Sequence, residues 1–209
     1  MSKRLSPARR EEQRDEHITL VRTAELFHEH GLSLSTRTIY MGGTQDWDGE
    51  TGTDVLMADR MLKNLHILEA TSDNPITIIQ NNPGGDWYHG IAIYDAIKQS
   101  RCEITIKARG YAMSMGSIIF QAAKHRLMSP TATQMLHYGT DGYFHHSKTF
   151  EKYAEQSKKI NAIMEGIYLD RIREKQPKYP LHKLKKMLNF DTYLTAEESI
   201  ELGLADAIG

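Results

Sequence analysis

The sequence predicts an α/β fold, and three observations carry that expectation. Short β-rich apolar runs alternate with stretches whose apolar residues recur at helical spacing. Glycine-containing turn clusters stand between them, and no low-complexity tract or repeated unit breaks the alternation. Residues 1 to about 17 stand apart: almost all are polar or charged and bury too little apolar surface to offset the entropy of ordering, so a mobile arm is expected there. From His17 to His30, Ile18, Leu20, Val21, Ala24, Leu26 and Phe27 describe an amphipathic helix with Gly31 as its C-cap. Thr36 to Met41 reads as a strand running into Gly42-Gly43, Asp46 to Gly52 as a polar loop, and Asp54 to about Thr71 as a helix.

The same grammar then repeats. Pro75 to Gln80 is a strand, Asn81 to Gly85 a turn, and Trp87 to Lys98 a helix built on Ile91, Ile93, Tyr94 and Ile97. Glu103 to Ala108 is a strand, Gly110 to Ser114 a turn, and Met115 to Ala123 an apolar helix; Arg126 to Met128 and Gln134 to His137 read as short strands. Lys148 to Lys175 is a long helical stretch rich in Lys and Glu. Thr-Ala-Glu-Glu from Thr195 is a capping box, with Glu198 at its third helical position and Gly203 as the stop.

Bulk composition narrows the function classes. A chain of 209 residues with 40% hydrophobic content supports one ordinary domain with a sizeable core. Its 26 basic and 27 acidic residues leave a net charge of -1, so no chain-wide attraction to nucleic acid or to an anionic membrane is expected. The single cysteine, Cys102, excludes an intrachain disulfide and fits a reducing compartment, as it would a cysteine-poor secreted protein. The charged N-terminal stretch has no apolar signal region, and no run of about 18 apolar residues occurs, so a cytoplasmic location is expected.

Four stations carry chemistry. Ser114, in Tyr-Ala-Met-Ser-Met-Gly-Ser, falls at a strand-to-helix junction, where a hydroxyl is exposed and the following helix offers unpaired N–H groups for an oxyanion. On local evidence alone the commoner role of such a serine is a helix cap. Asn82-Pro83-Gly84-Gly85 lets backbone approach a ligand closely and is equally an ordinary turn. His137 ends an apolar strand, where a neutral imidazole can take a serine proton and return it. Asp191 can orient that imidazole, or be a solvent-facing loop residue. The spacings of the other histidines, among them His28 and His30 and the adjacent His145 and His146, do not match a helical zinc pair, so neither a metal site nor a cofactor is expected.

Taken in order along one α/β chain, these stations resemble the ClpP family, the proteolytic subunits of Clp proteases. Ala-Met-Ser-Met-Gly is similar to the family's Ala-Ser-Met-Gly nucleophile segment, Asn-Asn-Pro-Gly-Gly to its Asn-Ser-Pro-Gly-Gly, and Gln-Met-Leu-His to the strand ending in its catalytic histidine. Asp191 to Asp206, with Thr-Ala-Glu-Glu-Ser and Gly-Leu-Ala-Asp, resembles the family's closing segment. The likeness covers Thr36 to Gly209 and implies a ClpP/crotonase-like fold of repeated strand-strand-helix units, in which Lys148 to Lys175 is the long handle helix. Residues 1–35 then form a divergent arm and helix, and residues 36–209 the peptidase domain.

The resemblance implies that Ser114 is the nucleophile, His137 the general base and then acid, and Asp191 its orienting carboxylate, with the N–H groups of Gly85 and Met115 as the oxyanion hole. It also implies that an extended peptide or unfolded protein binds as an added strand along Gly84, Asp86 and Trp87 on one side and Tyr138 and Gly139, continuing to Gly142, on the other. Heptameric rings stacked as a tetradecamer, and a Clp ATPase that docks on them, are implied as partners. Three departures stand out: Tyr138-Gly139 replaces the usual Gln-Pro, Met1 to Ser35 resembles no axial loop, and the Gln45 to Gly52 loop with Trp47 is longer than usual. Other expectations compatible with the residues are an enoyl-CoA hydratase or isomerase on the same general fold, a non-catalytic ring or phage-head scaffold subunit, and a binding module recruited by the charged arm.

Overall fold

A computed structural model describes residues 7–42, 52–139 and 147–209 of the chain. All of the expected Asp46 to Gly52 loop but Gly52, its Trp47 included, the pair His145 and His146, and Thr140 to Gly142 lie outside the described residues.

The chain begins with α1 (Pro7–His30), followed by β1 (Leu32–Ser33) and β2 (Thr38–Gly42). The helix therefore starts ten residues before the apolar periodicity does, and residues 7–17 are helical where an arm without structure was expected. Asp54 caps α2 (Val55–Thr71) by accepting from the Met57 N–H at 2.7 Å. Arg37, at φ 48, closes the other end of α2, where its guanidinium donates to the carbonyls of Leu68 at 3.0 Å and Ser72 at 2.9 Å. β3 (Ile76–Asn82), α3 (Trp87–Gln99), β4 (Ile104–Met113), α4 (Met115–Phe120) and β5 (His125–Met128) continue the alternation. β6 (Thr133–Leu136), α5 (Ser147–Lys175), α6 (Leu181–Leu188), β7 (Thr192–Leu194), α7 (Ala196–Leu202) and β8 (Ala207–Ile208) complete it.

The strands β2, β3, β4, β5 and β8 lie side by side in parallel, with β1 antiparallel at the β2 edge. The inner residues Ile39, Met41, Ile76, Ile78, Ile104 and Ile106 are sealed against α2, α3 and α4. The second half of α5 adds Met164, Tyr168, Leu169 and Ile172 to that core. Fully burying a side chain of the size of Tyr168 or Phe120 contributes about 1.5–3 kcal/mol.

Two departures from the expected elements shape the site. Gly110 to Met113 is strand, not turn: β4 runs on through Met113. It does so by bulging, since Gln80 pairs with Ala108 but Asn82 with Ala112. Gly110 makes this possible at φ 74, where a Cβ would sit 2.7 Å from the Asn81 side-chain oxygen. Below the bulge β4 pairs with β5, and above it with β6. The second departure is α4, which stops at Phe120 instead of Ala123: the N–H groups of Gln121 and Ala122 turn to the carbonyls three residues back, Ile118 and Ile119, both at 3.0 Å, and the Arg171 guanidinium takes the carbonyls of Gln121 and Ala123, both at 2.7 Å.

Candidate active site

Strand register alone assembles the site. β4 and β6 run parallel with Met113 opposite Met135, and the Ser114 N–H donates to the Met135 carbonyl at 2.9 Å, so Ser114 emerges beside the end of β6. β6 and β7 are antiparallel with Leu136 opposite Thr192; one step further brings His137 opposite Asp191. The His137 Nε2 lies 2.8 Å from Ser114 Oγ, and its Nδ1 lies 2.8 Å from Asp191 Oδ1. Residues 114, 137 and 191 thus form one hydrogen-bonded line of hydroxyl, imidazole and carboxylate.

Ser114 occupies the N-cap position of α4, but its side chain makes no capping bond. Its φ of 49 belongs to a region that residues with a Cβ rarely adopt, and it turns the hydroxyl away from the helix toward His137. A hydroxyl set against an imidazole, with a carboxylate on the far ring nitrogen, is suited to give up its proton as it attacks an electrophilic carbon.

Gly84 and Gly85 stand directly against this turn. At Gly84, with φ 110, a Cβ would come within 2.6 Å of Ser114 Cβ and 3.1 Å of the Met115 nitrogen. The turn is held by Asn82, whose Oδ1 accepts from the Gly84 N–H at 2.8 Å and from the Thr53 hydroxyl at 3.2 Å. Gly85 forms a parallel bridge with Thr53 through the Gly84 carbonyl and the Asp86 N–H, so its own N–H takes no part in it. The Gly84-Gly85 turn thus lies against Ser114 and the Met115 nitrogen, and Gly85 and Met115 both line the cleft beside Ser114.

A cleft of about 500 Å³ opens over these groups. Gly85, Asp86, Trp87, Ser114, Met115, His137, Tyr138 and Gly139 all line it. Gly84 packs behind Ser114 instead, and the Asp86 carboxylate is engaged as the cap of α3, accepting from the His89 N–H at 2.9 Å. The opposite wall was not foreseen: Tyr153, Gln156, Ser157, Ile160, Asn161 and Met164 of α5. Their spacing follows one helix face, yet the face mixes polar and apolar side chains, and hydrophobic periodicity does not pick it out.

Tyr138 donates its hydroxyl to Glu165 Oε1 of α5 at 2.6 Å, and Glu165 also meets Lys185 of α6 at 3.3 Å. Burial raises the Tyr138 phenol well above its ordinary value, and the neighbouring Glu165 carboxylate adds to that. Among the described residues, no cluster of three or more His, Cys, Asp or Glu side chains is arranged to hold a metal ion, and no helix is long and apolar enough to cross a membrane.

Comparison with known proteins bears on the same segment of chain. The family described as Clp protease matches residues 34–209. The chain belongs to the Clp protease family. An ATP-dependent Clp protease proteolytic subunit from Deinococcus radiodurans is 29% identical to it over 180 residues, covering 84% of this chain and 81% of the relative. The mixed sheet-and-helix architecture is that of this family, and the family's chemistry is peptide hydrolysis, not the hydratase or isomerase reaction weighed on the sequence. In this Clp protease family member Tyr138-Gly139 stands where the resemblance leads one to expect Gln-Pro, and Tyr138 ties the rim of the cleft to Glu165 of α5 and, through its N–H at 2.9 Å, to the Leu188 carbonyl of α6.

Proposed function

We propose that the chain is a serine endopeptidase in which Ser114 attacks the carbonyl carbon of a peptide bond while His137 takes its proton. The Nδ1 side of His137 rests on Asp191, which holds the ring in the tautomer that presents a lone pair to Ser114 and stabilises the imidazolium that forms. The N–H groups of Gly85 and Met115 receive the oxyanion, and the proton then passes from His137 to the leaving amine. Water repeats the sequence on the acyl-enzyme and frees Ser114. The observation that carries this reading is the unbroken Ser114–His137–Asp191 line, with a serine hydroxyl that forgoes its cap.

An extended peptide fits between the Gly85 to Trp87 edge and the Tyr138-Gly139 edge as an added strand, its main chain held independently of sequence. Family membership supports assembly into heptameric rings, stacked as a tetradecamer enclosing the clefts, in the cytoplasm. A Clp ATPase as the partner that supplies unfolded chains is carried over in the same way, from a relative whose name states ATP dependence.

The test is to label the purified, assembled protein with a fluorophosphonate probe, follow cleavage of a short fluorogenic peptide, and compare Ser114→Ala. Labelling and cleavage that both vanish in the variant are the expected result. An assembled wild-type ring, verified by sedimentation, that is neither labelled nor active overturns the reading.

A further inference from the structure

The inner face of β3 turns polar as it nears the site. Its buried positions run Ile76, Ile78, Gln80, Asn82, all at 0% exposure, and β6 buries Gln134 just as completely. A strand position facing a core is ordinarily apolar, because a glutamine there must find partners for two donors and an acceptor. Here the two side chains are only half satisfied. Gln80 Nε2 donates to the Gly116 carbonyl at 2.7 Å and Gln134 Nε2 to Ser117 Oγ at 2.9 Å, while both Oε1 atoms have no partner among the described residues. A backbone carbonyl only accepts, so the Gln80 amide must face Gly116 with its nitrogen. Gln121 Nε2 adds a bond to the Ser117 carbonyl at 3.2 Å, and the buried Tyr168 hydroxyl stands by Ser117 without a bond of normal geometry.

Methionine or leucine would fill these two volumes with no stranded Oε1 and would forgo only the bond each amide makes to α4, so the amides bring little net stability. What Gln80 and Gln134 share is their target. Each reaches the first turn of α4, Met115 to Ser117, from a different strand. That helix has six residues, too few to hold its own first turn in place.

We propose that Gln80 and Gln134 are positioning residues that clamp the first turn of α4 and so aim the Met115 N–H at the oxyanion of the transition state. This rests on the reading of Gly85 and Met115 as oxyanion donors given above. The substrate carbonyl makes weaker demands on that donor than the oxyanion does, so the clamp acts on kcat and leaves KM alone.

The experiment uses the full chain in its assembled state, with Gln80→Met, Gln134→Met and Ser117→Ala, the last removing the acceptor of the Gln134 amide from the other side. Loss of an oxyanion donor costs about 100- to 1000-fold in kcat, and a donor that is present but misaimed costs less, so each variant is expected to lose about tenfold in kcat with KM held within about twofold. Binding of a peptide boronic acid, whose tetrahedral adduct occupies the same donors, should weaken by a similar factor, while binding of a product peptide should not change. Gln134→Met and Ser117→Ala together should cost no more than either alone. Wild-type kcat in assembled Gln80→Met and Gln134→Met, or a loss confined to KM, overturns the proposal. Should a glutamine variant not assemble, Ser117→Ala decides alone, since alanine suits a helix, and wild-type kcat there sinks the clamp. Ser114→Ala in the same assay separates the two failures: hydrolysis that survives it removes the underlying reading, whereas its loss beside unimpaired glutamine variants removes only the clamp.

Discussion

The two ends of the Ser114–His137–Asp191 line are built very differently. At the serine end the turn lies between β3, β4 and β6, braced by Gly84, Asn82, Gln80 and Gln134, and the three side chains among them are wholly buried. At the carboxylate end Asp191 is 56% exposed, at the start of a three-residue strand whose partner among the described residues is β6. Its neighbours Phe190 and Tyr193 are 75% and 58% exposed. The contrast teaches that the strained geometry of Ser114 is held by the core, whereas the carboxylate's position is held at the surface, by the β6–β7 register and a bond from the Thr192 hydroxyl to the Met187 carbonyl at 2.8 Å. Chemistry and stability should therefore be linked at one end and separable at the other.

Substitutions break or sharpen that contrast, beginning with the largest effect. Ser114→Ala is expected to lower kcat by about 10⁴-fold or more, read by fluorogenic peptide cleavage, because Ser114 carries the hydroxyl set against the His137 imidazole at 2.8 Å. Asp191→Asn should lower kcat by about 10²- to 10⁴-fold, yet shift unfolding free energy in urea by no more than about 0.5 kcal/mol. A large loss of stability in that variant would show the carboxylate end to be as welded as the serine end.

Gly84→Ala addresses the welded end. A Cβ within 2.6 Å of Ser114, at φ 110, should cost about 2–4 kcal/mol in denaturant unfolding and reduce fluorophosphonate labelling in parallel. Tyr138→Phe gives the smallest effect, about 1–3 kcal/mol, from taking the Tyr138 donor away from Oε1 of the buried Glu165 carboxylate. Its pH dependence has a definite sign. The folded phenol is shifted upward from 10.0, so its contribution is complete below that value and is lost as pH rises above it. Wild type should consequently lose more stability than Tyr138→Phe between neutral pH and alkaline pH beyond 10, as followed by unfolding at each pH.

Much of this was legible locally. The Thr195–Glu198 capping box and the Gly203 stop are interactions within a few residues, and they appear where the letters place them, with Gly203 in the left-handed region at φ 95. Ser114, His137 and Asp191 were legible because their types and order match a known pattern. The strands that escaped notice lack a local signal: β1 and β8 are two residues long and exist only because a partner strand offers hydrogen bonds. The short helix α6 did carry a signal that went unread: Leu181, Leu184 and Leu188 recur at i, i+3 and i+7, with Leu184 and Leu188 buried and Leu181 packed against the core. The extension of β4 through Gly110 read as a turn because glycine marks bulges and turns alike.

The sequence by itself determined the alternation of strands and helices, the glycines at 84 and 85, and the three side chains with chemistry to offer, since each depends on residue type and near-neighbour spacing. Only the tertiary structure decided whether Ser114 would be a cap or face an imidazole. That choice depends on a bulge at Gly110 moving β4 from β5 to β6, and on the β6–β7 register setting residue 137 against 191. Pairings between residues 23 and 54 positions apart carry no imprint in local sequence, because their energy comes from partners that only folding brings together.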